Sequence, residues 1–186
     1  MTNNEDMLYE KRIDGKVRFE GEIITVVTDN VMLANGKTDY REIIRKNGGV
    51  CVVPVTEEGE IVFVNQFRYA YGQVVKEVPA GKMEKDEDPL LCGLRELSEE
   101  TGYTAKNVVP LGVFYPSPGI MDEVLYMYYA TDLTLGETHP DDGEFVTVEK
   151  IPFEKAVDMV LGGEIVDGKT QTAILKAWAL KQKGEL

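Results

Sequence analysis

Acidic residues recur at fixed spacing between Gly81 and Gly102, and this segment constrains the fold more than any other part of the chain. Glu87 follows the first glycine, and the run Arg95-Glu96-Leu97-Ser98-Glu99-Glu100 precedes the second. Written as a pattern, the segment reads G-x5-E-x7-R-E-L-x-E-E-x-G-Y, with nine specified positions. So many fixed positions require one helix with defined ends that presents acids on chosen faces.

The helix has a clear start and a clear end. Asp88 is a typical N-cap, and Pro89 follows in the first turn, where its missing N–H costs nothing. Gly102 is a typical helix end. Apolar residues recur at helical spacing and predict one buried stripe, formed by Leu90, Leu94, Leu97 and Thr101.

The acids of this helix divide between two flanks. At about 100° of rotation per residue, Glu96 and Glu100 lie together, and Arg95 and Glu99 lie on the other flank, pointing away from Glu96. Residues four apart have Cβ atoms roughly 5–6 Å apart, so Glu96 and Glu100 can share one cation. An exposed acidic helix is the simpler alternative for such a sequence, but the complete pattern favours a metal site.

The ligand types indicate which metal this site prefers. Carboxylate oxygens suit hard cations, so we expect Mg²⁺, with Mn²⁺ as a substitute. A zinc site needs clustered His or Cys ligands. This chain has only His139, Cys51 and Cys92, which are far apart in sequence.

The spaced acids and glycines resemble the Nudix box at every position. The resemblance implies an α/β fold, an α/β/α sandwich around a mixed sheet over about residues 46–186. It also implies hydrolysis of a diphosphate linkage in a nucleoside diphosphate joined to another group. By position, the metal ligands are Glu96, Glu100, the carbonyl of Ala80 and in some members Glu99. Arg95, Glu87 and Glu99 match positions that orient the helix through ion pairs.

Residues outside the box resemble the ADP-ribose pyrophosphatase branch of that family. Pro118 lies fifteen positions after Tyr103 in the context Ser-Pro-Gly, and the segments VPAGK and NQFRY fit the same branch. Taken locally, Ser117-Pro118-Gly119 is also simply a tight turn.

The branch implies that Arg68 contacts a substrate phosphate, that Arg41 packs on the adenine or terminal ribose side, and that Pro118 belongs to the substrate site. Glu77 and Glu123 match positions of substrate or metal-shell contacts. A surface charge on a strand is the alternative for Arg41 and for Arg68.

The general base is expected in the loop GETHPDDGEFVTV, because the family's loop glutamate directly precedes a late strand. Glu144 occupies that position, and Asp142 is the alternative. A solvated acidic loop would account equally well for any single residue of this segment.

Residues 1–45 predict a separate, β-rich, antiparallel N-terminal unit, and residues 46–186 the hydrolase domain. Asn35-Gly36 predicts a type I′ hairpin, and Glu58-Gly59 a second hairpin. Further strands are expected near 108–115, 123–130 and 145–149, followed by helices after Pro152 and after Thr170. The resemblance implies a homodimer that exchanges the N-terminal unit, so that Arg41 reaches the partner's site.

Composition limits the partners. The net charge of −13 disfavours nucleic acid and anionic membranes. The chain contains neither an apolar run of transmembrane length nor a signal-peptide pattern at its N-terminus. Two separated cysteines give no disulfide framework, so we expect a cytoplasmic location.

A second motif matches a nucleotide-binding pattern but lacks the structural context that the pattern requires. Gly163 to Thr170 reads GEIVDGKT and matches the P-loop pattern. A P-loop follows a strand, whereas the preceding segment PFEKAVDMVL has helical periodicity. We therefore interpret this segment as a loop between two helices.

The predicted activity is Mg²⁺-dependent cleavage of ADP-ribose to AMP and ribose 5-phosphate. The alternatives are another substrate of the same class, such as GDP-mannose, ADP-glucose or NADH, and a domain that binds ADP-ribose as a sensor without cleaving it. The sensor is disfavoured because the chain keeps Glu96, Glu99 and Glu100 and has no basic helix-turn-helix segment.

Overall fold

A computed structural model describes residues 7–138, 143 and 145–186. The chain divides into two compact units, which are described separately. The first contains Met1–Asn47 and Tyr115–Glu123, and the second contains Gly48–Phe114 and Val124–Leu186. The division at residues 45 and 46 stays a prediction about domains, and it did not anticipate that 115–123 groups with the N-terminal segment.

The first unit is built on a three-stranded antiparallel sheet. Its strands are β1 (Lys11–Glu20), β2 (Thr25–Met32) and β3 (Thr38–Arg45), in the order β1-β2-β3. The end of β3 holds the segment 115–123 by backbone hydrogen bonds. The Ile44 N–H donates to the Ile120 carbonyl at 2.7 Å, and the Asp122 N–H donates to the Ile44 carbonyl at 3.2 Å.

The turn between β2 and β3 differs from the predicted type I′ geometry. The Gly36 N–H donates to the Leu33 carbonyl at 2.9 Å, and the Leu33 N–H donates to the Lys37 carbonyl at 2.8 Å. Only Gly36, with φ of 80°, lies in the left-handed region, whereas a type I′ turn needs Asn35 there as well. The loop is therefore longer by one residue, and Gly36 alone supplies the reversal.

The second unit contains two sheets. Its strands are β4 (Gly49–Pro54), β5 (Glu60–Arg68), β6 (Gln73–Glu77), β7 (Ala80–Lys82), β8 (Tyr103–Phe114), β9 (Leu125–Leu135) and β10 (Val146–Pro152). One sheet has the order β10-β5-β6 and the other the order β7-β4-β9-β8. The second is mixed, because β4 and β9 are parallel while the other pairs are antiparallel. The predicted Glu58-Gly59 turn thus joins strands of two different sheets.

Within the described residues, this unit also contains three helices, namely α1 (Pro89–Thr101), α2 (Phe153–Leu161) and α3 (Gly168–Lys183). Alternate residues of β4 face opposite cores. Val50 and Val52 belong to the core that contains Cys92 and Leu97 of α1. The other core contains Cys51 and Val53 with buried residues of α2 and α3, among them Phe153, Ala156, Ala173 and Ile174. Helices therefore cover both faces of the mixed sheet, which confirms the predicted sandwich.

The ends of α1 are as predicted. The Asp88 carboxylate accepts hydrogen bonds from the N–H groups of Leu90 at 2.9 Å and Leu91 at 3.1 Å. Gly102 ends the helix with φ of 74°. The predicted stripe is wrong at its first position, because Leu90 is exposed. The buried residues of α1 are Cys92, Gly93, Leu97, Glu100 and Thr101.

The GEIVDGKT segment does join two helices, as predicted. It follows α2 and opens α3, for which Asp167 is the N-cap. The helix therefore starts before Thr170, earlier than expected. No helix in the described part of the chain is both long and apolar enough to cross a membrane.

Candidate active site

Strand β7 and helix α1 bring two carboxylates together. The Ala80 N–H donates a 3.0 Å hydrogen bond to Oε2 of Glu100. The next residue of the strand, Gly81, lies directly against the carboxylate of Glu96. Because adjacent strand residues meet acids one helical turn apart, the two carboxylates share one small region. Both are shielded, since Glu100 is 3% exposed and the Glu96 side chain 12%.

Gly81 leaves the space that the Glu96 carboxylate occupies. A Cβ added at position 81 would overlap the carboxylate carbon and both oxygens of Glu96. These atoms are the chemically important end of the side chain, so moving them to make room would displace the very group that the site needs. The first glycine of the acidic pattern therefore has a local steric explanation.

Arg95 is the hub of a second group of acids. Its Nε lies 3.0 Å from Oε1 of Glu87, and its Nη1 lies 2.8 Å from Oε2 of Glu99. The same Nη1 lies 2.9 Å from Oε1 of Glu96. The expectation that Arg95 points away from Glu96 is therefore wrong. A guanidinium is long enough to reach the adjacent acid as well as the one a full turn away.

The ion pair between Arg95 and Glu87 shifts the pKa values of both groups toward their charged forms. The hydrogen bond from Arg95 lowers the pKa of Glu87 to about 2. The same bond raises the pKa of Arg95 above its ordinary value. Glu87 also accepts a 2.8 Å hydrogen bond from the Glu84 N–H, so it ties the loop before α1 to the helix itself.

The donor set fits a hard divalent cation. Glu96 and Glu100 offer carboxylate oxygens in a shielded place, and such oxygens are the ligands that Mg²⁺ prefers. No group of three or more His, Cys, Asp or Glu side chains within residues 7–138, 143 and 145–186 forms a ready metal cage. Mg²⁺ is usually bound through one or two carboxylates together with substrate phosphates. The two carboxylates of Glu96 and Glu100 match this coordination.

A second charged cluster surrounds Glu77, which is 2% exposed at the end of β6. Arg68 grips it with two hydrogen bonds, Nε to Oε1 at 2.6 Å and Nη2 to Oε2 at 2.7 Å. Lys169 also donates to Oε2. The expectation that Glu77 contacts the substrate or the metal shell stays a prediction. In the structure Glu77 is buried between two cations and anchors Arg68. The contact with Lys169 was not foreseen.

Electrostatic interactions of this cluster extend to Glu100. The pKa of Arg68 is raised, first by its hydrogen bond to Glu77, with the charge of Glu100 among the further contributions. Burial alone would raise the pKa of Glu77, but the hydrogen bonds and charges of Arg68 and Lys169 hold it below the ordinary value. Glu77 therefore stays ionised despite its burial.

Three expected substrate residues lie in the first unit. The Arg41 guanidinium binds Glu10, with Nε 2.9 Å from Oε2, and Asp39, with Nη1 2.8 Å from Oδ2. Pro118 lies in a turn that the Ile120 N–H closes by donating to the Ser117 carbonyl at 3.1 Å. The tight turn predicted from sequence is therefore present.

Glu123 is the third of these residues, and it is buried against Lys46, which sequence analysis missed. The pairing of Lys46 with Glu123 joins positions 77 residues apart in sequence. Local pattern gives no signal for such a contact. The proposed base, Glu144, and its alternative, Asp142, lie outside the described residues.

The chain is similar in sequence to known proteins over most of its length. A family model described as NUDIX domain matches residues 45–170. The chain is 43% identical over 169 residues to an ADP-ribose pyrophosphatase from Bacillus subtilis (strain 168), covering 90% of this chain and 91% of that protein. It is 39% identical over 167 residues to a methanol dehydrogenase activator from Bacillus methanolicus, covering 89% and 90% of the two chains.

A solved structure described as an ADP compounds hydrolase has a similar fold. The TM-score is 0.86, and the match covers 97% of this chain and 98% of that one. The sequence identity is 17%, so this likeness concerns the fold alone.

Proposed function

The chain belongs to the NUDIX family, and we propose that it is a metal-dependent pyrophosphohydrolase that cleaves ADP-ribose to AMP and ribose 5-phosphate. The observation that carries this proposal is the pairing of Glu96 and Glu100 against consecutive residues of β7. The 43% identical ADP-ribose pyrophosphatase, aligned over nearly the whole chain, supports the substrate.

Glu96 and Glu100 would hold the metal ion, with the Ala80 carbonyl as a further ligand and Glu99 as a reserve. Mg²⁺ is the proposed ion and Mn²⁺ its substitute. When bound, such an ion supplies neutralisation of diphosphate charge and activation of a water. Arg95 holds Glu96 and Glu99 of α1 and Glu87 of the preceding loop in place, because it pairs with all three.

Arg68 would bind a substrate phosphate. Glu77 takes the edge of its guanidinium that carries Nε and Nη2. Among the residues that the structure describes, Glu77 is the acid that pairs with Arg68, so the edge that carries Nη1 is proposed to receive another anion; the side chain is 41% exposed. A guanidinium suits this arrangement, since its planar fork can serve two anions on different edges. An acidic protein needs such a local cation to receive an anionic substrate.

Arg41, Pro118 and Glu123 are proposed to complete the substrate site, and Glu144 to act as general base on the attacking water. Arg41 would have to exchange a carboxylate partner, Glu10 or Asp39, for the substrate. Such surface pairs are weak, so exchange costs little.

We also propose a homodimer with an exchanged N-terminal unit. The sheet of the first unit exposes several large apolar side chains, which a partner would cover, namely Ile13, Val17, Phe19 and Tyr40. A cytoplasmic location is supported by the two cysteines, which are both free and buried.

Incubation of the purified protein with ADP-ribose and Mg²⁺ tests the function. Parallel reactions contain GDP-mannose, ADP-glucose or NADH, and products are separated by anion-exchange chromatography. We expect AMP and ribose 5-phosphate from ADP-ribose, at a higher kcat/KM than for the other substrates. Consumption of GDP-mannose alone would reject the substrate but retain the chemistry. Binding of ADP-ribose without any product would favour the sensor.

A second candidate function is activation of a dehydrogenase. Its support is the 39% identity to the methanol dehydrogenase activator, which extends over nearly the whole chain. Adding the protein to a methanol dehydrogenase assay tests it, with the Glu100→Gln variant as a matched control. A rise in dehydrogenase rate that the control fails to produce would link activation to the same site.

A further inference from the structure

The P-loop-like segment Gly163–Thr170 contacts β6 and the residue that follows it. Thr170 is fully buried, and its hydroxyl accepts a 3.0 Å hydrogen bond from the Val78 N–H. Asp167 caps α3 through the Thr170 N–H at 2.9 Å, and it also accepts from Lys169 at 3.0 Å. Lys169 donates in addition to Glu77. This segment is therefore bound at two consecutive positions, Glu77 and Val78.

Glu77 has two cationic partners. A carboxylate removed from water loses much of its solvation, and additional hydrogen-bonded partners help to restore it. Arg68 donates to both oxygens, but its side chain is 41% exposed to solvent. Lys169, with a side chain only 14% exposed, is the inner and more constrained cation.

Lys169 is poorly suited to hold a phosphate itself. An ammonium has three N–H donors, and two of them go to Glu77 and Asp167. Both acids are fixed, Glu77 by burial and Asp167 as the N-cap of α3. Lys169 can therefore act on the substrate only through Glu77. The other cation bound to Glu77 is Arg68.

We propose that Lys169 is a positioning residue for diphosphate hydrolysis, because it locks Glu77 in the orientation that aims the outer edge of Arg68 at a substrate phosphate. This inference rests on the proposed function. It gives a role to the lysine and threonine of a segment that resembles a nucleotide loop. In this role the segment acts on Arg68 through Glu77 and does not bind the phosphate itself.

The test compares steady-state ADP-ribose hydrolysis, with Mg²⁺, by the wild type, Lys169→Met, Arg68→Gln and the double variant. We expect Lys169→Met to raise KM by about tenfold or more, the value of one charged hydrogen bond, while kcat changes less. Because Lys169 acts through Arg68, the double variant should be no worse than Arg68→Gln alone. Lys169→Arg should recover part of the loss.

Lys76→Met is the matched control. Lys76 precedes Glu77 on the same strand and pairs with Glu149 of β10. The Lys76→Met substitution removes an ion pair of the same sheet and leaves the contacts of Arg68 unchanged. The KM of this variant should therefore equal that of the wild type. An unchanged KM in Lys169→Met would overturn the proposal. Losses that multiply in the double variant would also overturn it, since they indicate direct and independent contact.

Two further measurements distinguish a loss of folding, or a failure of the proposed function, from a failure of the positioning role. Circular dichroism melting shows whether the Lys169→Met variant is folded, and if it is not, the Lys169→Gln variant replaces it. If the wild type does not cleave ADP-ribose, the proposed function fails, yet Lys169 can still be tested by calorimetric titration with inorganic pyrophosphate. Weaker pyrophosphate binding by Lys169→Met than by Lys76→Met supports the positioning role. Equal binding rejects it.

Discussion

The backbone N–H of Ala80 donates a 3.0 Å hydrogen bond to the carboxylate of Glu100, and this bond joins strand β7 to helix α1. The carbonyl side of the same strand residue is the proposed third metal ligand. If its carbonyl binds the ion as proposed, Ala80 both positions Glu100 and helps to hold the metal. The next strand residue, Gly81, fits against Glu96. The geometry of the pair depends on how closely this strand approaches the helix.

Glu100→Gln should abolish activity with little change of fold. The amide oxygen of glutamine can still accept from the Ala80 N–H, but the charge that holds the cation is lost. We expect kcat/KM to fall at least about a hundredfold. Without metal, the melting temperature should stay level or rise, because repulsion between two shielded carboxylates is relieved. Glu154→Gln, which alters an acid on α2, is the control. Near-normal turnover in Glu100→Gln would reject its ligand role.

Gly81→Ala should damage the site through one methyl group. The new Cβ would overlap the Glu96 carboxylate, so this carboxylate must leave the position that it occupies beside β7. We expect a loss of kcat/KM of about a hundredfold, comparable to removal of a metal ligand's support. Gly168→Ala is the matched control, because a Cβ there meets open space. Equal activity of the two variants would show that the Glu96 contact is unimportant.

Arg95→Met should destabilise the protein in a manner that depends on pH. The pKa of Glu87 is held at about 2 by Arg95, so the pair contributes stability above the unfolded pKa and loses it as pH falls toward 2. The melting temperature should drop by about 5 °C at neutral pH. Below about pH 4.3, the unperturbed value for Glu, the gap to the wild type should narrow.

Melting curves of both proteins between pH 3 and pH 8 measure this difference. Arg95→Lys is the informative companion, because a lysine supplies the charge without the fork that reaches three acids. It should recover only part of the melting temperature. A gap that stays constant across the whole pH range would contradict the assignment of Glu87 as the main partner.

Both cysteines should resist thiol reagents in the native protein. Burial is the first cause that raises the pKa of Cys51 and of Cys92, each to about 12. At pH 8 almost no thiolate is present, and only thiolate reacts. We expect no labelling by a disulfide-exchange reagent until denaturant is added, when two thiols should react per chain. Rapid labelling of the native protein would contradict the packing of α1 against β4.

Local features of the site could be predicted from sequence, and long-range contacts could not. The ends of α1 follow from Asp88, Pro89 and Gly102, because capping depends on neighbouring residues only. The exposure of Leu90 was missed, since helical periodicity does not say which flank meets the sheet. The pairing of Lys169 with Glu77 spans 92 residues and has no local pattern.

The turn at Asn35-Gly36 shows the same limit at smaller scale. Sequence places the reversal correctly, but the register of β2 against β3, which pairs Met32 with Thr38, decides the loop length. Register depends on which side chains each strand buries. The arrangement of Arg41, Pro118 and Glu123 in one unit likewise follows from the pairing of Ile44 with Ile120.

Glu96 and Glu100 are proposed to hold one divalent cation together. Titration of Mn²⁺ followed by its electron paramagnetic resonance signal tests this proposal most directly, because free and bound ions are distinguished. With a non-cleavable methylene analogue of ADP-ribose present, the wild type should bind Mn²⁺, and the double variant Glu96→Gln, Glu100→Gln should leave the ion free over the same range. Equal binding by the two proteins would contradict the account.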